Sequence, residues 1–405
     1  MKMAHATTDR REGRSLRIVD IINLSASANS LLKRQVLAMR ASGFDNRILC
    51  ADGPDVGALR EAGIPVHPVH LPRGLDPVRL LASLVEITVY LWKEKVDLVH
   101  THGSIPGGVG RPAAWLAGVP VIIHTLHGLH FHPGAPWWQR LPSRLVERAC
   151  GFMTDTLLTQ SRSDLEQTER YRIGPRWRRR WIGNGVDLRR FRPVPRRRAD
   201  AKVTITCVAR LEPVKNHPML FEAVRLLKAR GESFRVRLVG DGALRQEHQK
   251  RCQRLGIADC VEFLGYRGDV PEILAQTDIA VLTSNQEAPP RAVLEAMAMG
   301  IPVVATRVTG THEAVRHGET GLTVEPGDVD SLAGALALLI GDPDLRAAMG
   351  ARGRAVAVRS FDERTVIGTL RWIYRAKLLG PSGVATSMFP EVWHESARSH
   401  SRARR

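Results

Sequence analysis

Residues Ile279–Thr306 read IAVLTSNQEAPPRAVLEAMAMGIPVVAT. Ile279–Thr283 is an apolar run of strand length, and it leads into a polar loop that carries Glu287. Pro289 and Pro290 suit the first turn of a helix, where the missing proline N–H would have had no intrahelical partner. Residues 290–299 have helical spacing, and a second short apolar run follows at Val303–Ala305. Apolar strands of this length, joined by a helix, make a parallel unit whose sheet is covered on both faces.

The same alternation extends outward. In the second half the expected strands are Lys202–Ala209, Arg235–Val239, Val261–Leu264 and Leu322–Val324, with helices over Pro218–Arg230, 243–255 and 270–276. In the first half the expected strands are Leu16–Leu24, Asn46–Ala51, Val66–Leu71, Val96–Thr101, Val119–Thr125, Thr156–Gln160 and Arg180–Ile182. Helices are expected over Ser30–Ala41, 76–95, 106–117, 138–149 and 162–171. Between the halves, Phe191–Asp200 (FRPVPRRRAD) is rich in Pro and Arg and has no apolar period, which marks a linker. The expected architecture is α/β, with two Rossmann-like, doubly wound domains over 16–190 and 202–362, a linker at 191–201, and a central cleft between facing sheets. A helix at 363–380 should pack back toward the first domain, with 1–15 and 381–405 flexible. Ligands of such sheets bind beyond the C-terminal strand ends, so the loops after strands are where chemistry is expected.

Composition is consistent with this. The chain has 405 residues, 43% hydrophobic and 25% charged, which excludes a wholly disordered or fibrous protein. Lys and Arg number 59 against 41 acids, for a net charge of +18, which favours anionic partners. The five cysteines are odd in number and show no C-x-x-C spacing, so neither a disulfide framework nor a zinc ribbon is indicated. The N-terminal stretch has no apolar segment of signal-peptide type, and no run of 18 apolar residues occurs.

Four features follow successive strand ends in the second half. CVARLEPVKN places Arg210 and Lys215 five apart on one loop, a spacing that can clamp a diphosphate. Gly240-Asp241-Gly242 lets backbone approach a ligand closely. Glu287 precedes a helix and Glu295 lies inside it; carboxylates so placed can accept hydrogen bonds from sugar or ribose hydroxyls, while the helix N-terminus around Ala292 and Val293 offers amides to an anion. The fourth is a turn-rich segment bracketing Leu322–Val324. Each alone also reads as ordinary surface turns and ion pairs.

Taken in order from Thr206 to about Phe361, these strings resemble the nucleotide-sugar-binding half of retaining GT-B glycosyltransferases of family 4 (group 1). ARLEPVKN is similar to the family's G/A-R-L-x-x-x-K-G/N, Glu287–Glu295 to its E-x7-E, and TGLTVEPGD (320–328) to its later turn. APPR (288–291) departs from the usual G-F/S-P-L. In the first half, VIIHTLHGLHFHP (121–133) resembles the T-x-H-G segment of exopolysaccharide and capsule enzymes, and Asn184–Asp187 matches N-G-V-D. The family's glycine-rich first loop is replaced by NLSASANS (23–30).

The resemblance implies roles. Arg210 and Lys215 would neutralise the departing diphosphate without a metal or other cofactor. Glu287 would touch the donor sugar near its anomeric carbon, and Glu295 the ribose. Gly240 and Gly242 would pass near the nucleotide, and Arg267 lies on the loop expected beside the base. His127 would face the donor sugar from the first domain. His124, His130 and His132 lie near it, and a zinc site of H-x2-H-x-H spacing would lack a cysteine or carboxylate partner at ligand spacing, so no metal is expected.

The implied reaction is retaining transfer from a UDP- or GDP-type sugar to a glycan or polyprenyl-linked saccharide, in bacterial surface-polysaccharide assembly. The enzyme would be cytoplasmic. Between Arg170 and Arg198 twelve arginines accompany one acid, with Trp177 and Trp181 interleaved, and Trp137 and Trp138 stand upstream. That pairing fits anionic lipid, hence a peripheral position at the membrane, and equally a solvated basic face. The alternatives are a soluble small-molecule acceptor, a sugar-nucleotide epimerase of the same fold, and a basic nucleic-acid-binding protein. The last leaves the twin-sheet organisation unexplained, so nucleic acid is not expected as a partner.

Overall fold

The structure is a computed structural model; it describes residues 14–128 except 73 and 75, 137–194 and 202–380. His130, His132, most of the linker and the two chain ends therefore lie outside the described residues. The chain divides into two compact units. The first takes in the chain up to Thr159, Asp164–Trp181 and the chain from Ile367; the second takes in Gln160–Ser163 and Ile182–Val366.

The first unit holds a seven-stranded sheet: β1 (Arg17–Leu24), β2 (Asp45–Ala51), β3 (Val66–Pro68), β4 (Leu98–His102), β5 (Val121–Leu126), β6 (Thr156–Thr159) and β7 (Arg179–Trp181), in spatial order β3-β2-β1-β4-β5-β6-β7. The second holds β8 (Val203–Val208), β9 (Phe234–Val239), β10 (Val261–Gly265), β11 (Ile279–Leu282), β12 (Val303–Thr306) and β13 (Gly321–Val324), in order β10-β9-β8-β11-β12-β13. Every pairing in both sheets is parallel.

β11 shows why the sheet is parallel and covered. Ile279 and Val281 pack into one hydrophobic cluster with Leu220, Val224 and Leu336, while Ala280 and Leu282 pack into another with Leu294 and Met297. Successive side chains point to opposite faces, so a strand without polar alternation needs apolar cover on both. Fully burying each such aliphatic side chain stabilises by roughly 1.5–3 kcal/mol.

The expected strands are present, with edges moved by one to three residues. β3 stops at Pro68 instead of Leu71 because a proline lacks the ladder N–H and is tolerated only at a sheet edge, where β3 lies. The helix expected from Ser30 begins at Ser25, directly after β1, and passes through a π turn over Ala28–Leu32 before the α-helix Lys33–Ala41. Helices over Asp55–Glu61, Thr309–Ala314, Val329–Gly341 and Pro343–Ser360 add to those expected. The last helix, Glu363–Leu379, buries Tyr374 completely within the first unit.

Candidate functional site

In each sheet the strand order reverses between its first and fourth strands, and ligands of such sheets sit at that switch point beyond the strand C-termini. In the second unit the switch lies between β8 and β11. The loop after β8 carries Arg210 and Lys215, and the loop after β11 carries Glu287.

The two loops are laced together. Asn285 N–H donates to Val214 O at 2.8 Å, and the Thr283 hydroxyl donates to the carbonyls of Lys215 and Asn216, both at 3.1 Å. Lys215 forms a short ion pair with Glu287, and both side chains are largely buried. Ser284 Oγ donates to the same Glu287 oxygen at 2.6 Å. Asn216 has φ 46° and ψ 47°, a left-handed conformation that glycine and asparagine adopt most readily. A glycine or asparagine after the lysine therefore answers a backbone preference, which the motif had shown only as a letter. Arg210 is more exposed, and its guanidinium meets Glu212 at 2.6 Å.

Gly240 lies against this loop. Its φ is +140°, and a Cβ there would stand 2.1 Å from Ala209 O, so only glycine fits. Leu211 N–H donates to Asp241 O at 3.0 Å, and a Cβ on Gly242 would stand 2.5 Å from Leu211 O. Gly240 N–H donates to Gly265 O at 2.8 Å, which brings the Arg267 loop alongside. Arg267 is exposed and doubly bonded to Asp269, one of the contacts being 2.7 Å.

Glu295 keeps separate company. The helix Arg291–Ala298 starts after Pro290, whose extended backbone (ψ 122°) makes it the cap and not a first-turn residue. Glu295 therefore lies in the second turn. Burial pushes its carboxyl up to about 7, against the opposing attraction of Arg291 and Arg190, with Glu363 adding repulsion. Arg291 Nε stands 4.0 Å away. Arg190 also donates to Gly268 O at 2.6 Å, so Glu295 and the Arg267 loop share this neighbour. Ala292 and Val293 form the first helical turn, and Val293 N–H donates to Pro290 O at 3.0 Å. The second-half residues thus all follow the C-terminal ends of strands of one sheet. They fall into two groups, Lys215–Glu287 with the Gly240 loop, and Glu295 with Arg190.

In the first unit, His127 follows β5. His102 Nδ1 lies 3.2 Å from His127 Nε2, and His102 Nε2 lies 2.8 Å from Asp20 Oδ1. His100 Nδ1 meets the Tyr374 hydroxyl at 2.6 Å and its Nε2 meets Thr125 Oγ1 at 2.7 Å. His124 is fully buried, with Nδ1 on Thr101 Oγ1 at 2.8 Å. Burial holds His100 and His124 well below the usual imidazole range. Asp20, His100 and His102 bring one donor atom each within 4.8 Å of one another, a spacing a metal could use. Both nitrogens of His100 are engaged by hydroxyls, so the cluster reads as a hydrogen-bond network.

Asp20, His100 and His102 were not singled out from sequence. The available signal was polar residues inside apolar strands: Asp20 within LRIVDIINL and two histidines in LVHTH. Parallel register then sets Asp20 opposite His100.

Two doubly wound parallel sheets in one chain, each with a switch point beyond its strand C-termini, are the architecture of the GT-B fold. Residues 29–185 match the glycosyl transferase 4-like domain and residues 190–356 match glycosyl transferases group 1, and the chain belongs to this glycosyltransferase family. It is 31% identical over 314 residues to the UDP-Gal:alpha-D-GlcNAc-diphosphoundecaprenol alpha-1,3-galactosyltransferase of Escherichia coli, covering 74% of this chain and 81% of that one. It is 31% identical over 319 residues to the GDP-mannose-dependent alpha-(1-6)-phosphatidylinositol monomannoside mannosyltransferase of Mycobacterium tuberculosis, covering 73% and 80%. The crystal structure of Anabaena HepE in complex with UDP and glucose superposes with a TM-score of 0.76 at 22% identity, covering 88% of this chain and 98% of that one. Among the described residues no helix is long and apolar enough to cross a membrane.

Proposed function

We propose that this glycosyltransferase moves a sugar from a nucleoside-diphosphate sugar to a hydroxyl of a lipid-linked saccharide, with retention of anomeric configuration, in surface-polysaccharide assembly. The observation that carries the donor half is the Lys215–Glu287 pair at the β8/β11 switch point, beside the backbone opening made by Gly240. Phosphate oxygens would compete with carboxylates for Lys215 and Arg210, and these cations would stabilise the negative charge of the leaving group without a metal. Freed from Lys215, Glu287 would accept from a sugar hydroxyl, and Glu295 from the ribose. The Gly240–Gly242 backbone and the Arg267 loop would flank the nucleotide. The Val293 amide is turned back on Pro290, so a phosphate contact at this helix falls to Ala292. His127 would accept a hydrogen bond from a substrate hydroxyl. The phosphate itself would serve as base for the incoming hydroxyl, since retention by same-face attack needs no protein nucleophile.

The HepE structure holds UDP and glucose, and the two relatives are named for UDP-Gal and GDP-mannose. A thermal-shift screen with UDP, GDP, ADP and their sugars tests the donor reading, because only ligands of the folded state raise the midpoint. A rise with one base is expected; no rise with any of them would refute it.

For the acceptor, the E. coli relative is named for a diphosphoundecaprenol-linked sugar, and the first unit carries a matching surface. On the helix Pro77–Lys93, Val78, Leu81, Val85, Val89 and Trp92 are all exposed and fall within an arc of about 80° at 100° per residue. Ile87 and Leu91 are buried on the opposite side. On the helix Trp137–Met153, Leu141, Leu145 and Phe152 are exposed, with Arg148 exposed among them. A strongly basic chain with an exposed apolar helical surface and exposed tryptophans suits an anionic leaflet. By contrast, Arg178 and Arg179 of the basic stretch spend their guanidinium groups on the carbonyls of Phe152, Thr154, Ile173 and Gly174. The proposed membrane contact is therefore the helical surface more than the arginine run. Flotation with vesicles containing anionic lipid should recover the wild type and lose the double variant Leu81→Glu, Val85→Glu. Wild type absent from vesicles at low salt would favour a soluble acceptor.

A further inference from the structure

A cavity of about 270 Å³ opens in the first unit between β7 and the last helix. Trp177, Arg178 and Arg180 line it from the basic stretch, and Trp372 and Lys377 line it from the helix Glu363–Leu379. Thr156, which opens β6, lines it too, and Arg178 immediately precedes β7. The cavity therefore lies toward the N-terminal ends of these parallel strands, opposite the ends whose loops carry the candidate chemistry.

Three cations and no acid line this space. Arg178 is held through Nη1, which donates to Phe152 O at 3.1 Å and to Thr154 O at 2.9 Å. Arg180 Nη1 donates to Arg179 O at 2.8 Å. A carbonyl fixes a guanidinium in place without cancelling its charge. The Lys377 ammonium makes no hydrogen bond or ion pair among the described residues. Burial holds it below the usual lysine range; Asp155 opposes this, while Arg178 and Arg180 push it lower still. Asp155 itself accepts from the Ile122 N–H through Oδ2 at 2.9 Å. Like charges gathered around one cavity repel one another, and an anion among them relieves that repulsion.

The composition of the lining selects the anion. Guanidinium forks suit the oxygens of a phosphate, and an ammonium adds a point charge. Trp177 is 72% exposed, and Phe152, whose carbonyl holds Arg178, is 67% exposed. Exposed aromatics beside basic residues suit the headgroup layer of a bilayer.

We propose that this cavity is a binding site for a phosphate group, held by Arg178 and Lys377 and flanked by Trp177, and that the group belongs to the headgroup of an anionic phospholipid. The phosphate site stands on the cavity and its cations; only the lipid source rests on the membrane contact proposed above. A lipid docked here would hold the first unit to the leaflet at a point separate from the helix Pro77–Lys93.

Two experiments on the full chain separate the site from its source. With 15N-tryptophan labelling, the Trp177 indole N–H reports on the cavity, and the Trp177→Phe spectrum identifies its signal. Titration with inorganic phosphate should shift that signal saturably. Lys377→Glu should weaken the response by roughly 10-fold or more, and Lys377→Ala, which adds no acid to the cavity, should weaken it in the same direction. No saturable shift, or an unchanged response in both variants, overturns the proposal. In flotation, the wild type should bind vesicles of phosphatidylcholine with phosphatidylglycerol, and Lys377→Glu should lose roughly 10-fold or more in binding constant. Lys250→Glu makes the same charge change at an exposed position on the helix Arg245–Arg254 and should lose little. Equal losses in the two would show a general attraction of charge and overturn the lipid assignment. A phosphate response with vesicle binding untouched by Lys377→Glu also overturns that assignment and gives the cavity to a soluble phosphate ester. The double variant Leu81→Glu, Val85→Glu should keep the phosphate response even where it no longer floats, so failure of the membrane contact and failure of the site read differently.

Discussion

Replacing Glu295 by glutamine should make the protein more stable above neutral pH and leave it nearly unchanged in acid. The carboxyl is held at about 7 in the folded protein against an ordinary value of 4.5, chiefly because burial disfavours its charge. The sign follows from proton counting. Below pH 4.5 both folded and unfolded chains hold the proton, and the group contributes nothing to the difference. Between 4.5 and about 7 the unfolded chain releases it and the folded one keeps it, so stability falls by about 1.4 kcal/mol per pH unit. Above that window the loss is complete, at about 3 kcal/mol. Glutamine is neutral throughout and escapes the loss. Urea denaturation of both proteins at pH 4.5, 6 and 8.5 should therefore show curves that diverge with rising pH, glutamine on top. Ribose hydroxyls need the ionised carboxylate, so nucleotide affinity of the wild type should rise through pH 7 and that of the variant should not. A stability difference that stays constant from pH 4.5 to 8.5 would refute the burial argument. A parallel pH dependence of affinity in both proteins would refute the ribose contact.

Other consequences are simpler to test. Lys215→Ala and Glu287→Ala should each lower transfer by orders of magnitude while keeping the far-ultraviolet circular dichroism of the wild type; near-normal turnover in both would remove them from the reaction. Activity should persist in excess EDTA, and a complete loss restored by magnesium would show that the two cations do not suffice. Gly240→Ala should weaken nucleotide binding and cost roughly 1–3 kcal/mol of stability, since the new Cβ would meet Ala209 O at 2.1 Å in a strained backbone conformation. Wild-type affinity and midpoint in that variant would show that the loop has room to spare.

Much of the proposed donor site was legible because it is written locally. Arg210, Lys215 and Asn216 share one loop, and Glu287 and Glu295 stand on either side of one helix start. A motif of that kind survives in the one-dimensional string. The pairing of Lys215 with Glu287, 72 residues apart, was not legible, nor was the separation of Glu295 into its own surroundings. The helix over 76–95 was expected, yet its surface was not: a helix apolar nearly all round reads as buried. Val78, Leu81, Val85, Val89 and Trp92 are exposed only because the sheet covers one side of it.

By itself the sequence determined two α/β halves and the loops that follow their strands, because strand and helix periods and turn residues are properties of neighbours along the chain. The tertiary structure alone decided which distant groups meet. Residues 20, 35, 100, 102, 127 and 374 come together through parallel register and the packing of the last helix. Burial, which no local pattern specifies, lowered the His100 imidazole and raised the Tyr374 hydroxyl. The carboxyl of Glu295 and the imidazole of His100 take their character from water excluded by the rest of the fold.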